Sequence, residues 1–109
     1  MYWNNCNTKP DAAQGPCEIE VSEFEWDAHN EGHCACHGLT PVTAEEVKDG
    51  SPKFFENDPG KTGTHIMIGP DAAGRYWTIP IKPTGAPGQW RSITGWPSDK
   101  AELRRYNDS

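Results

Sequence analysis

The stretch that most constrains the fold is residues 24–47, FEWDAHNEGHCACHGLTPVTAEEV, which carries start and stop signals for two consecutive helices. Asp27 can cap the first helix, because its carboxylate accepts a hydrogen bond from a free backbone N–H of the first turn. Gly38 stands where a helix end needs a left-handed residue, and glycine adopts that conformation without a Cβ clash. Thr40 and Pro41 can begin the second helix, since proline at the first helical position loses no hydrogen bond. The stretch therefore predicts two short helices at an angle, separated by a glycine at positive φ.

Apolar alternation and turn residues predict the elements of the remaining chain. The expected elements are a strand over residues 18–26, helices over 27–37 and 41–48, strands around 54–55 and over 65–69, 75–81 and 89–96, and a last helix through Tyr106 capped by Ser98 or Asp99. Pro80 cannot donate a ladder bond, so we expect it at an edge position or a bulge. The predicted architecture is α+β: an irregular arm over residues 1–17, then one domain over 18–109 with two helices, a mainly antiparallel sheet of about four strands and a C-terminal helix.

Length and composition bound the class of protein. A chain of 109 residues forms one small domain with one modest core. The sequence contains no apolar run near the ~20 residues that span a bilayer. No signal peptide opens it. We therefore expect a soluble cytoplasmic protein without a membrane partner.

The negative charge is unevenly distributed along the chain. The net charge of −6 divides into −4 for residues 1–25, −5 for residues 26–60 and +3 for residues 61–109. This asymmetry indicates that a phosphate-binding surface, if present, lies on the C-terminal half. Ordinary scatter of surface charge is the alternative.

The spacing Trp-Asp-x-x-Asn-x-x-His-x-x-x-His-Gly resembles the BrnT family of bacterial toxins. The resemblance covers residues 24–106 and includes IMIGPDAAGRYWTIPI as a central hairpin and WRSITGWPSDKAELRRY as the last strand and helix. The matching residues are Trp26, Asp27, Asn30, His33, His37, Gly38, Thr40, Pro41, Glu45, Glu46, Arg75, Arg91, Arg105 and Tyr106. The resemblance implies a fold like that of the RelE toxins, RNA cleavage without a cofactor, and a cognate ribbon-helix-helix antitoxin as partner.

RNA cleavage without a metal requires activation of a 2′-hydroxyl, protonation of a leaving 5′-oxygen and cations around the reacting phosphate. The candidate catalytic residues are His37, Arg75, Arg91, Arg105 and Tyr106. The candidate RNA-contacting residues are His65, Lys82 and Trp96. Each arginine has the alternative of a surface ion pair, and His37 that of a favourable interaction with a helix C-terminus. We expect Arg75 and Arg91 to be exposed, so that replacing either lowers cleavage and leaves stability unchanged.

Two departures from the BrnT pattern weaken the interpretation as an enzyme. Pro70 and Trp96 stand where the family often carries arginine. A tryptophan can stack on a base, but it cannot neutralise a phosphate. A non-catalytic interaction module on the same fold is therefore an alternative function.

The cysteines and histidines allow a third function, a zinc-stabilised binding protein. The conceivable ligands are Cys6, Cys17, His33 and Cys36, because zinc takes four Cys or His ligands in a tetrahedron. The usual Cys-x-x-Cys pair is missing, and a reducing cytosol disfavours a Cys6–Cys17 disulfide. We expect no bound metal, and we expect Cys34 in the core.

Overall fold

This computed structural model describes residues 16–109 of the chain, which fold into three helices and a six-stranded sheet. The strands are β1 (Glu23–Glu25), β2 (Lys53–Glu56), β3 (His65–Pro70), β4 (Tyr76–Pro83), β5 (Gln89–Ser92) and β6 (Trp96–Pro97). The helices are α1 (Ala28–Ala35), α2 (Pro41–Asp49) and α3 (Lys100–Asn107). The predicted α+β class is confirmed, but the arrangement differs, with six strands rather than about four. Within residues 16–109, no helix has the length and apolar character needed to cross a membrane.

The helix–glycine–helix unit forms through the capping contacts that its sequence predicts. The Asp27 side chain accepts a hydrogen bond from the Asn30 backbone N–H at 3.1 Å, and the Asn30 side chain accepts from the Asp27 N–H at 2.8 Å. Helix α1 ends at residue 35 rather than 37, and Gly38 follows at φ 84°. Thr40 Oγ1 accepts from the Thr43 N–H at 3.1 Å and begins α2. Side-chain acceptors thus satisfy free N–H groups at both helix starts.

The sheet has the order β1-β5-β4-β3-β2, and β6 also pairs with β4. All pairs are antiparallel except β1–β5, which is parallel. The strand expected over residues 18–26 is reduced to β1, where Phe24 is buried and pairs with Trp90 of β5. The first strand is therefore a short parallel edge.

Pro80 lies inside the central strand β4, and the sheet accommodates it with a break in the neighbouring strand. The strand predicted over residues 89–96 is divided into β5 and β6, which pair with β4 on either side of Pro80. The Pro80 carbonyl accepts from the Ile93 N–H at 3.0 Å, on the side where the ladder is interrupted. Pro80 lies outside the registers of both β5 and β6, so its missing N–H falls where the ladder is already interrupted. Of the two positions expected for Pro80, the sheet edge is wrong, because β4 lies between β3 and β5. The irregularity beside Pro80 is the break between β5 and β6.

Alternating side chains give the sheet two faces with different cover. The helix-pair face packs against α1 and α2. Its buried cluster consists of Phe24, Cys34, Leu39, Ala44, Val47, Met67, Trp77, Ile79 and Ile81. The opposite face, which we call the cleft face, carries a smaller buried cluster of Phe55, Ile66 and Ile68. Tyr106 of α3 packs against that cluster, so α3 covers only part of the cleft face.

Asn30 joins the helix pair to the sheet. Its side chain is 1% exposed. Its Nδ2 donates to the backbone carbonyls of Glu25 at 2.9 Å and Ser92 at 3.0 Å. Together with the bond from Asp27, these contacts connect β1, α1 and β5. The Asn of the BrnT-like spacing thus has a structural role in this chain.

Candidate functional site

A cleft of about 310 Å³ opens on the cleft face between α3 and the loop of residues 57–62, and we call it the α3 cleft. The residues that line it are Asn57, Asp58, Lys61, Thr62, Ile66, Thr78, Pro80, Trp96, Glu102 and Arg105. Ile66, Thr78 and Pro80 belong to the cleft face of β3 and β4 and are buried. The other lining residues therefore stand around a buried floor that is apolar except for the Thr78 hydroxyl, which is hydrogen-bonded to Ser98.

Trp96 is held firmly at one side of the α3 cleft. Its indole Nε1 donates to both carboxylate oxygens of Glu102, at 3.2 and 3.0 Å. Glu102 also accepts from the Asp99 N–H at 2.8 Å as part of the cap of α3. The His37 ring packs edge-on against the indole, with ring centroids 6.3 Å apart. Thus the turn after α1 and the first turn of α3 both position this aromatic side chain.

Arg105 brings a cation to the same cleft. Its guanidinium carbon lies 4.3 Å from the centroid of the Phe55 ring, a cation–π distance. Burial lowers the pKa of the Arg105 guanidinium, and the Asp58 carboxylate acts in the opposite direction. The guanidinium stays charged, because arginine does not lose its proton under physiological conditions. With the exposed Lys61 across the opening, two cations line the α3 cleft.

The structure places Arg91 in an ion-pair cluster outside the lining of the α3 cleft. Its Nη2 contacts both carboxylate oxygens of Asp27 at 2.8 Å, and its Nη1 contacts Glu25 at 3.1 Å. The side chain is 17% exposed, so the expectation of an exposed arginine is wrong at this position. The pKa of Asp27 is lowered by the Asn30 backbone hydrogen bond and by Arg91, and the Asp27 bond raises the pKa of Arg91. Arg91 therefore ties β5 to the start of α1.

Tyr106 is also committed to structural contacts, although it follows Arg105 directly. Its hydroxyl donates to the Ser51 carbonyl at 2.6 Å. Its ring packs edge-on against Tyr76 at 5.2 Å and lies 4.6 Å from the Lys53 ammonium. Burial and the neighbouring Tyr76 raise the pKa of the Tyr106 phenol. These contacts make Tyr106 a poor source of a proton in the α3 cleft.

Arg75 lies at the hairpin between β3 and β4. Its side chain is exposed, as expected, with the guanidinium carbon 4.7 Å from the centroid of the Trp77 ring. The Trp77 indole N–H donates to Asp71 at 2.9 Å. Trp77 belongs to the helix-pair face, whereas the α3 cleft opens on the other. Arg75 is therefore not brought together with Trp96 and Arg105.

His65 and Lys82 lie toward the end of the β3–β4 pair that is away from the hairpin with Arg75. The His65 ring packs edge-on against Trp90 at 5.3 Å, and its Nδ1 lies 2.9 Å from Thr64 Oγ1. Burial lowers the pKa of His65, and Glu56 opposes that effect. Lys82 is exposed and pairs in register with Arg91. Neither residue lines the α3 cleft.

Within residues 16–109, no group of three or more His, Cys, Asp or Glu side chains is arranged to hold a metal ion. Cys34 is fully buried, as predicted, and burial raises its thiol pKa. Cys36 is exposed, with its Sγ 3.4 Å from the Gly32 carbonyl, whereas the His33 ring packs against His29 at 4.5 Å. The backbone of Cys17 pairs with Phe54 of β2. Cys6 lies outside the described residues. The conceivable zinc set and the Cys6–Cys17 pair both include Cys6, so they also lie partly outside the described residues.

The sequence reasoning missed six polar residues of the α3 cleft. They are Asn57, Asp58, Lys61, Thr62, Thr78 and Glu102. The spacing of Asp99 and Glu102 predicts a capping box, but it contains no sign that the glutamate also holds Trp96. The run NDPGKTG predicts a turn without showing which face of the sheet the turn approaches.

In comparisons with known proteins, no protein-family model, no curated protein and no solved structure matches this chain.

Proposed function

We propose that this chain is a BrnT-like toxin that cleaves RNA in the cytoplasm without metal or cofactor and is neutralised by a ribbon-helix-helix antitoxin. The α3 cleft is the observation that carries the proposal. It brings Trp96 and Arg105 together, and His37, from a distant part of the chain, packs against Trp96. Arg105 and His37 belong to the BrnT-like positions, and Trp96, which departs from that pattern, is a candidate for stacking on a base. The helix–glycine–helix unit at the motif residues gives further support.

The residues of the α3 cleft suit a single-stranded RNA substrate. Trp96 offers an aromatic ring on which a base can stack, an interaction that tolerates any base. Arg105 and Lys61 supply positive charge for the adjacent phosphate, and charge that develops during the reaction is stabilised by cations already in place. The imidazole of His37, exposed and in contact with Trp96, can accept a proton from the 2′-hydroxyl or donate one to the leaving 5′-oxygen.

Lys61→Ala is the variant that tests the α3 cleft with least risk to the fold, because Lys61 is exposed. We expect it to lower RNA cleavage about tenfold, or about 1.4 kcal/mol of transition-state stabilisation. Lys100→Ala is the matched control. It removes the same charge from another exposed position, outside the cleft lining, and should leave cleavage unchanged. Equal activities of the two variants would remove the α3 cleft from the proposal.

Trp96→Leu tests stacking at similar side-chain volume. We expect a reduced rate on single-stranded RNA, with circular dichroism confirming a folded protein. A folded Trp96→Leu protein with parent activity would show that RNA does not stack on this ring.

The interaction module is a second candidate, favoured by the contacts of two predicted catalytic residues. Arg91 is held by Asp27 and Glu25, and the Tyr106 hydroxyl is held by Ser51. Arg91 and Tyr106 would have to leave these partners to act on RNA. A protein that only binds a partner can keep the contacts as they are. A parent protein that binds an antitoxin but leaves RNA intact would favour this candidate. The zinc-stabilised alternative depends on Cys6, and elemental analysis of protein purified without added metal tests it directly.

A further inference from the structure

An open apolar groove of about 690 Å³ lies along α2, beside the hairpin that joins β3 to β4. We call it the α2 groove. Trp26, Pro41, Pro70 and Ala72 contribute to its apolar lining. Val42 lies at its side and is 69% exposed, an unusual position for a large hydrophobic residue in a small domain. None of these residues lines the α3 cleft, so the two surfaces are separate.

Carboxylates border the α2 groove. On α2, Glu45, Glu46 and Asp49 follow Val42 at helical spacing and so share its side of the helix. Asp71 of the hairpin completes the lining with a fourth carboxylate.

Contacts within the chain neutralise this border only in part. The Lys48 ammonium lies 3.1 Å from Glu45 and 2.9 Å from Asp49. Glu46 and Asp71 accept backbone N–H bonds, from Ala72 and from residues of the hairpin, that fix their positions without cancelling their charge. The Arg75 guanidinium also acts electrostatically on Asp71. Two cations against four carboxylates leave the groove with a net negative charge. Such a surface repels RNA and attracts basic groups.

We propose that the α2 groove docks a basic peptide segment of another protein. The segment places an apolar side chain in the groove beside Val42 and sets Lys or Arg side chains against Glu46 and Asp49. Apolar contact supplies most of the affinity, and the carboxylates select a basic sequence and fix its register. The inference does not depend on RNA cleavage, because it concerns a different surface.

The first experiment titrates ¹⁵N-labelled protein with a short capped peptide that carries Leu at helical spacing with Lys between the Leu positions. A second peptide has Glu in place of every Lys. We expect the Lys peptide to shift the amide signals around Val42, Glu46, Asp49 and Ala72, and the Glu peptide to leave them unchanged. Shifts that spread evenly over the acidic surface would mean unspecific attraction and would overturn the proposal.

Matched variants separate the α2 groove from the general negative charge of the protein. Glu46→Gln with Asp49→Asn should weaken binding of the Lys peptide about fivefold, the effect of two exposed ion pairs. The control, Glu18→Gln with Glu31→Gln, changes net charge equally at exposed positions outside the groove and should leave the affinity unchanged. Equal weakening in both double variants would contradict a specific site.

Val42→Ser tests the apolar part and should weaken binding of the Lys peptide about tenfold, because the apolar contact with the peptide is lost. The stability of the free protein should change little, because Val42 is exposed. Ala101→Ser, an exposed change on α3, is its control. Unchanged affinity of Val42→Ser would refute apolar docking at this position. Signals of the groove that change on dilution of the protein alone would assign the surface to a second copy of this chain instead.

Discussion

The side chain of Asn30 should be the most sensitive polar position of the fold. It is 1% exposed and makes three hydrogen bonds, all to backbone groups of other residues. Asn30→Ala would leave the carbonyls of Glu25 and Ser92 and the N–H of Asp27 without these partners. Water cannot easily replace them at the buried end, so the loss is not compensated.

The magnitude follows from those three bonds. At about 1 kcal/mol each, their loss lowers the free energy of unfolding by about 3 kcal/mol. For a chain of this size, that corresponds to a fall of at least about 12 °C in the melting temperature. This cost would be a large fraction of the total stability of a small domain.

Asn30→Asp sharpens the test, because it keeps the shape and the Oδ1 acceptor for the Asp27 N–H. It replaces the donor Nδ2 by an oxygen that faces the carbonyls of Glu25 and Ser92. At neutral pH we expect Asn30→Asp to be at least as unstable as Asn30→Ala, since a buried carboxylate without a donor is costly. In acid, the protonated side chain can donate one bond, so Asn30→Asp should gain stability relative to Asn30→Ala.

Urea unfolding followed by circular dichroism measures both variants beside the parent. Comparison of the two variants at each pH removes acid effects that they share. A loss below about 1 kcal/mol for Asn30→Ala would refute the three-bond reasoning. Parent stability in Asn30→Asp at neutral pH would refute the assignment of Nδ2 as the donor.

Two further predictions concern the same region. Gly38→Ala should lower the free energy of unfolding by about 1–2 kcal/mol, because the φ of 84° strains an L residue although a Cβ has open space. Gly32 also has space for a Cβ, but its backbone is helical, so Gly32→Ala should raise the free energy of unfolding by about 0.5–1 kcal/mol. Thermal unfolding that ranks the two variants in the opposite order would contradict this. Arg91→Ala should lower the melting temperature at pH 7 and have less effect below about pH 4. The pKa of Asp27 is lowered in the folded state, so the ionised carboxylate stabilises the fold, and this stabilisation is lost when acid protonates the group. A melting temperature unchanged at pH 7 would mean that the contacts of Arg91 with Asp27 and Glu25 contribute nothing to stability.

Local signals account for the parts of the fold that the sequence predicts well. The caps at Asp27, Thr40 and Asp99 each depend on residues within one helical turn, and the structure has all three. Gly38 needs only its own backbone conformation. Pro80 shows the limit of this reasoning. Its missing N–H predicts an irregular ladder, but the neighbouring strand that breaks beside it is specified elsewhere in the chain.

The candidate site depends on contacts between distant residues, which no local pattern contains. Arg91 meets Asp27 because β5 pairs with β1, and this parallel pairing is invisible in the alternation of either strand. Arg105 and Tyr106 are neighbours in sequence, yet one lines the α3 cleft and the other is tied to Ser51. The residue types of a ribonuclease site could therefore be named from the sequence, but their grouping could not.

The most direct test of RNA cleavage compares two substrates in the presence of EDTA. One is a single-stranded RNA, and the other has the same sequence with the 2′-hydroxyls replaced by 2′-O-methyl groups. We expect the parent protein to cut only the RNA and to leave a 2′,3′-cyclic phosphate, because the 2′-oxygen is the attacking group. Intact RNA, or cleavage of both substrates, would contradict the proposed activity.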